Sequence, residues 1–205
     1  PKNSDGSWFA EFNPLAGANF AHNPGYIEGN AWQYLFMVPH DINGLKKLMG
    51  GNKKFEARLD ELFEKDQFDM ANEPDFAYGY LYNFIPGKEY KASEKIHELI
   101  ATYYKNAPDG IPGNDDTGTM SAWVIYSMIG IYPITPAEPV YTFVVPTFNK
   151  IILHLNQDYY ENPELIIVKD SISKGKLKIE VDGAKFTKPL FDLSKINFPK
   201  KIKFL

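Results

Sequence analysis

Three short stretches concentrate the side chains that can move protons or hold a hard cation: "PGYIEGN" (24–30), "MANEPD" (70–75) and "PGNDDTG" (112–118). Each sets carboxylates and amides beside Pro or Gly, directly ahead of a helix-like run. Glu28 stands between aromatics, with Tyr26 before it and Trp32 after it. A carboxyl packed against rings loses solvation, so its pKa rises and it can hold a proton near neutral pH, as a general acid must. Asp115 and Asp116 lie among Gly and amides, surroundings that favour the ionised form a base or cation ligand needs. Asn72 and Glu73 add two further oxygen donors. Each stretch also has an unreactive reading, as a helix cap or as an acid favoured by the helix dipole. Taken together, two carboxylates in contrasting environments suit glycoside hydrolysis. One would protonate the leaving oxygen, and the other would activate water or attack the anomeric carbon.

The elements that must position these loops are helical over the first two thirds of the chain. A helix is expected from Asn30 through "AWQYLFMV", ended by Pro39. Asp41 can cap a short helix, "INGLKKLM", closed by Gly50-Gly51. Phe55, Leu59, Leu62 and Phe63 form one apolar stripe, and Ile96, Leu99, Ile100, Tyr103 and Tyr104 repeat that spacing. "PDFAYGYLYNFI" predicts a buried helix opened by Pro74. "GTMSAWVIYSMIGIY" is apolar nearly all round and predicts another. After Pro133 the character changes: "VYTFVV", "KIILHL", "LIIVKD" and "KLKIEV" are short β-branched runs split by turn residues. The expected architecture is α+β, with helical hairpins over 1–133 and a small antiparallel β region over 134–205. If the helices are antiparallel hairpins, the three acidic loops converge at one end of the array, where sites usually lie.

Composition narrows the chemistry. There is no Cys, so disulfides, thiolate zinc sites and Cys nucleophiles are excluded. Hard oxygen donors without thiolates suit calcium rather than zinc. Aromatics make up 15% of the chain, including 13 Tyr and 15 Phe, which fits sugar-stacking surfaces as well as a ring-rich core. Residues 146–205 carry 11 Lys and 7 acids, whereas residues 1–145 carry 11 basic and 19 acidic residues. That acidic balance argues against a nucleic-acid partner. No stretch reaches the ~18 apolar residues of a membrane span. The chain opens at Pro1-Lys2-Asn3 without an initiator Met and reads as a piece of a longer protein.

His22, His40, His97 and His154 are too scattered for a metal motif. His40, in "VPHD" directly after the first predicted helix, is the candidate for touching substrate, and His97 fits helix packing. Trp32 and Trp8 are candidates for stacking on a sugar. Trp32 is also placed to desolvate Glu28, while Trp123, in the middle of an apolar helix, reads as core.

The segments "YIEGNAWQYLFMVPHD", "NEPDFAYGYLYNF" and "GNDDTGTMSAWVIYSMIGIYP" resemble, in order, the hallmark segments of glycoside hydrolase family 92. The likeness continues through "GIYPITPAEPVYTFVVPTF", so it spans residues 5 to about 155. This resemblance implies a calcium-dependent, exo-acting α-mannosidase, of a kind many of whose members are specific for α-1,2 links. It also implies an (α/α)6 catalytic barrel with inverting chemistry, preceded by an N-terminal β-sandwich. This chain would supply the C-terminal half of the barrel and the trailing strands. By that resemblance Glu28 matches the general acid and Asp116 the general base, with Asp115 a second candidate. Asn72, Glu73 and Asp116 become calcium-ligand candidates, and Glu73 and Asn114 join Trp32 and His40 as substrate contacts. Many members follow "NEP" with a histidine-bearing stretch, whereas this chain has Asp75-Phe76-Ala77-Tyr78. The implied partners are mannose-containing glycans and the N-terminal portion of the same enzyme, and the implied location is periplasmic or secreted. The alternatives are another inverting glycosidase on an (α/α)6 barrel, or a non-catalytic carbohydrate-binding piece.

Overall fold

A computed structural model describes residues 1–17, 25–170, 177–186, 190–192 and 198–205. The chain divides into two compact units, residues 1–76 and 77–205.

In the first unit, α1 (Ile42–Leu48) begins where Asp41 accepts the backbone N–H of Gly44 at 2.8 Å, the expected cap. Gly50 and Gly51 follow with φ of 94° and 96°, a left-handed turn that residues with a Cβ rarely adopt. Helix α2 (Asn52–Glu64) then buries Phe55, Leu59 and Leu62, three of the four residues of the expected stripe. Phe55 packs edge-on against Phe36, with centroids 5.3 Å apart.

Residues 31–36 differ from expectation, forming successive turns instead of a helix. The cause is local. Asn30 Oδ1 accepts the N–H groups of Trp32 and Gln33, and Gln33 Oε1 accepts the N–H of Asn30. That is a reciprocal capping box. Only one i→i−4 bond follows, Tyr34 N–H to Asn30 O, before Leu35 and Met37 bond to carbonyls three residues back.

In the second unit, Tyr78–Phe84 is buried as expected but is a 3₁₀ segment, not an α-helix, and a single 3₁₀ turn, Glu73–Asp75, precedes it in the first unit. A Cβ on Gly79 would come within 2.7 Å of Ile96 in α3 (Glu89–Tyr103), so the segment lays its backbone directly on that helix. Helix α4 (Thr119–Ile129) buries Met120, Trp123 and Ser127, and Tyr80 and Tyr104 pack on the Trp123 ring. Its all-round burial is not borne out: Ile125 is 57% exposed and Tyr126 40%.

The β region forms two sheets. One has the order β1 (Ile131–Pro133), β2 (Val140–Phe143), β7 (Leu190–Asp192), and its pairs are antiparallel. The other runs β3 (Lys150–His154), β4 (Glu164–Lys169), β8 (Lys201–Phe204), β5 (Ile179–Val181), β6 (Ala184–Phe186). This second sheet corrects the purely antiparallel expectation, because β4 and β8 pair in parallel with Ile167 opposite Ile202. Alternate residues of both sheets, among them Phe143, Phe191, Ile167, Ile202 and Phe204, fill a shared core. The helices grip the edge of this region through polar bonds. Asn83 donates to Thr142 Oγ1 and Phe143 O, and Ser93 Oγ accepts from Val145 N–H. His97 bonds Val145 O at 2.8 Å, a packing role. No helix among the described residues is long and apolar enough to cross a membrane.

Candidate active site

Glu28 opens the first unit's cluster in an unusual backbone state, with φ of 54°. A non-Gly residue there costs about 1–3 kcal/mol and persists only where its surroundings hold it. Two contacts flank it. Asn72 Nδ2 donates to Glu28 O at 2.8 Å, and the Tyr34 hydroxyl donates to Ile27 O at 2.7 Å. Gly29, next in sequence, has no room for a Cβ, which would meet Gln33 Oε1 at 2.8 Å and the Tyr34 ring at 3.0 Å. The capping box and two clamps thus fix the backbone on both sides of the carboxyl.

The Glu28 side chain itself is exposed, so the desolvation expected from its aromatic neighbours is not supplied within this unit. Trp32 is half-buried and carries the Arg58 guanidinium over its ring, 4.8 Å from the centroid. One face of that indole is therefore occupied by a cation–π contact. Trp32, Tyr26, Tyr34 and Arg58 line an open cavity of about 930 Å³, large enough for a sugar.

The 69–75 loop supplies the remaining groups. Asn72 is buried and its amide nitrogen is engaged on Glu28, and no bond to its side-chain oxygen is found among the described residues. Glu73 is half-exposed. Asp75 is wholly buried. One of its oxygens accepts the Asp69 N–H at 2.7 Å, and the other has no partner among the described residues. Burial holds the Asp75 carboxyl well above the usual carboxylate range, Asp69's charge adds to this, and the bond from the Asp69 backbone opposes it. The Tyr34 phenol is pushed up by burial first and then by the charges of Glu28, Asp75 and Glu73. Sequence reasoning missed both Tyr34 and Asp75. An Asp residue type does not signal the burial that Asp75 shows, and the bond from the Tyr34 hydroxyl to Ile27 O leaves no local pattern in sequence.

In the second unit the two aspartates differ. Asp115 accepts from Ser121 twice, at its N–H (2.7 Å) and its hydroxyl (2.8 Å), and so ties the loop to the first turn of α4. Its charge also helps burial raise the phenol of Tyr104. The Asp116 carboxylate is exposed and makes no hydrogen bond among the described residues. Asp116, Thr117 and Gly118 have φ of 32°, 64° and 83°, a left-handed turn that holds the Asp116 side chain at the head of the helix. Asn114 is exposed beside it.

The remaining candidates separate. His40 is exposed, Trp8 is 74% exposed beneath Lys2, and His154 faces Glu164 on the surface. His22 lies outside the described residues. Trp123 is core.

Asn72 and Glu73 offer hard oxygens of the kind calcium takes, six to eight at a time. No three His, Asp or Glu side chains gather as a metal-binding group among the described residues. These donors match calcium in kind, and they are too few to complete its shell by themselves.

Comparison with known proteins places the chain in a family. A "secreted glycosidase", otherwise uncharacterized, from Arthroderma benhamiae is 32% identical over 155 residues, or 72% of this chain. A family GH92 α-mannosidase of Bacteroides thetaiotaomicron, solved with mannoimidazole, is 28% identical with a TM-score of 0.80 over 98% of this chain. A second GH92 enzyme of that organism, described as an inverting mannosidase, is 23% identical with a TM-score of 0.79 over 98% of the chain, a likeness of fold. The chain spans about a fifth of the fungal relative's length and 29% of each bacterial chain. The family model for the glycosyl hydrolase family 92 catalytic domain matches residues 1–204, and the chain belongs to that family.

Proposed function

We propose that this chain is part of the catalytic domain of an exo-acting α-mannosidase. The enzyme releases terminal α-linked mannose from α-1,2 links, with inversion at the anomeric carbon. Residues 1–133 belong to its (α/α)6 barrel and residues 134–205 form the strands that follow. The observation that carries the reading is the likeness to an α-mannosidase solved in complex with mannoimidazole, together with family membership. The fungal relative's description as secreted favours an exported enzyme acting on mannose-containing glycans.

Glu28 is the general acid, and its exposed carboxyl gives the proton to the leaving oxygen. Asp116 is the base. Its free, exposed carboxylate suits it to take a proton from water, while Asp115 holds the turn through Ser121. Inversion requires these two carboxyls about 6.5–9.5 Å apart across the sugar in the working enzyme. Trp32 and Tyr26 give the sugar apolar faces within the cavity. By the family resemblance, Glu73, Asn114 and His40 are polar contacts to substrate in the complete enzyme. Asn72, Glu73 and Asp116 would hold calcium, which would bind sugar hydroxyls and favour a distorted ring.

A linkage panel of mannobioses, assayed with the complete catalytic domain with and without chelator, tests the reading. Hydrolysis of the α-1,2 dimer, lost with chelator and restored by calcium, is the expected result. Cleavage of aryl α-glucosides but not α-mannosides would overturn the substrate class. Retention of anomeric configuration would overturn the acid/base assignment.

A further inference from the structure

Asp75 is a charged residue type buried completely in a loop whose neighbours carry the proposed chemistry. Its side chain closes the 69–75 loop by accepting the Asp69 N–H at 2.7 Å. Within that closure Asp69 accepts the Ala71 N–H at 2.8 Å, and the loop's backbone bonds run Asn72 to Asp69 and Asp75 to Asn72. Asn72 sits inside the closed loop and aims its amide at the Glu28 carbonyl, 2.8 Å away. Glu28 is in turn the residue whose left-handed backbone needs holding.

We propose that Asp75 is a positioning residue for the proton donor, acting through Asn72 on the backbone of Glu28. The inference rests on the assignment of Glu28 as general acid. A carboxyl at this place gives a buried acceptor that closes the loop without reaching the substrate. Opening the loop releases the Asn72 amide and lets Glu28 leave its strained conformation, so the proton donor is misaimed. A misplacement of about 1 Å in a reacting group costs about 100-fold in rate.

The signature of a misaimed acid is its dependence on the leaving group. A sugar alcohol needs the proton, whereas an activated phenol such as 2,4-dinitrophenol leaves without it. The test compares kcat on α-1,2-mannobiose and on 2,4-dinitrophenyl α-mannoside in the complete catalytic domain. Asp75→Ala removes the acceptor, and Asp75→Leu removes it while filling the volume. Folding of both is checked by thermal melts. The expected result is a loss of about 10- to 100-fold on mannobiose and no more than about threefold on the activated substrate. Asp75→Asn, whose amide oxygen can accept the same N–H, should restore most of that loss. Equal losses on both substrates, no loss on either, or failure of both Ala and Leu variants to fold would overturn the positioning role. Glu28→Gln, run alongside, separates the two claims. If it shows no leaving-group dependence, the acid assignment itself has failed, whatever Asp75 does.

Discussion

Asn72 donates its side-chain amide to the backbone carbonyl of Glu28, bridging 44 positions of sequence with a 2.8 Å bond. Glu28 holds φ of 54°, so this bond restrains a residue that would otherwise relax to ordinary backbone geometry. Asn72→Ala should therefore lower kcat on mannobiose by about 10- to 100-fold. Losing one hydrogen bond should cost only about 1 kcal/mol of stability. Steady-state kinetics beside a denaturant melt checks this; a stability loss with kcat unchanged would make the bond purely structural.

The same backbone is enclosed from the other side. A Cβ on Gly29 would fall 2.8 Å from Gln33 Oε1, the atom that accepts the Asn30 N–H. Gly29→Ala should break the reciprocal Asn30–Gln33 cap and destabilise by about 1–3 kcal/mol, the usual cost of forcing atoms into a packed site. A chemical denaturation midpoint equal to wild type would show that Gln33 swings away without cost.

These local devices mark how far the sequence could be read. The cap at Asp41, the Phe55–Leu59–Leu62 stripe, the Ile96–Leu99 face and the four β-branched runs were legible because each depends on neighbours within one or two turns. The turns at 31–36 were not, because the helical period of "AWQYLFMV" competes with an Asn30 side chain that captures two N–H groups. The parallel pairing of β4 with β8 joins residues about 35 apart, and no local pattern reports it. At the candidate site, the types of Glu28, Asn72 and Asp115 were legible, but the burial of Asp75 and the unequal bonding of Asp115 and Asp116 were not. Burial is a property of the packed chain, and a carboxylate reads alike in sequence whether it caps, titrates or is sealed away.

Burial holds the folded Asp75 carboxyl above its unfolded value of about 3.9. The folded state thus binds this proton more tightly than the unfolded state. The group's contribution to stability is complete below about pH 3.9 and is lost as pH rises through the folded value, at about 1.4 kcal/mol per pH unit between the two. Asp75→Asn has no proton to lose there. The stability of wild type minus that of Asp75→Asn should fall as pH rises from 4 toward 8, measured by urea denaturation at each pH. A difference that stays flat over that range would mean the carboxyl titrates as if it were exposed.

The adjacent aspartates should separate in opposite directions. Asp115 accepts two bonds from Ser121 and so supports the start of α4, whereas Asp116 offers an exposed carboxylate with no hydrogen bond among the described residues. Asp115→Ala removes the acceptor of a backbone N–H and a hydroxyl, and the loss of a helix cap costs about 1–2 kcal/mol. Ser121→Ala, which keeps the N–H bond, should cost less, about 0.5–1.5 kcal/mol. Asp116→Asn should leave stability nearly unchanged and cut kcat by about 100- to 10,000-fold, the share a positioned base contributes. Added azide, a small anion able to attack the anomeric carbon without a base, should recover part of the Asp116→Asn rate on an activated aryl mannoside and none of the Asp115→Ala loss. The reverse pattern, with Asp115→Ala inactive but fully stable and rescued by azide, would transfer the role of base to Asp115.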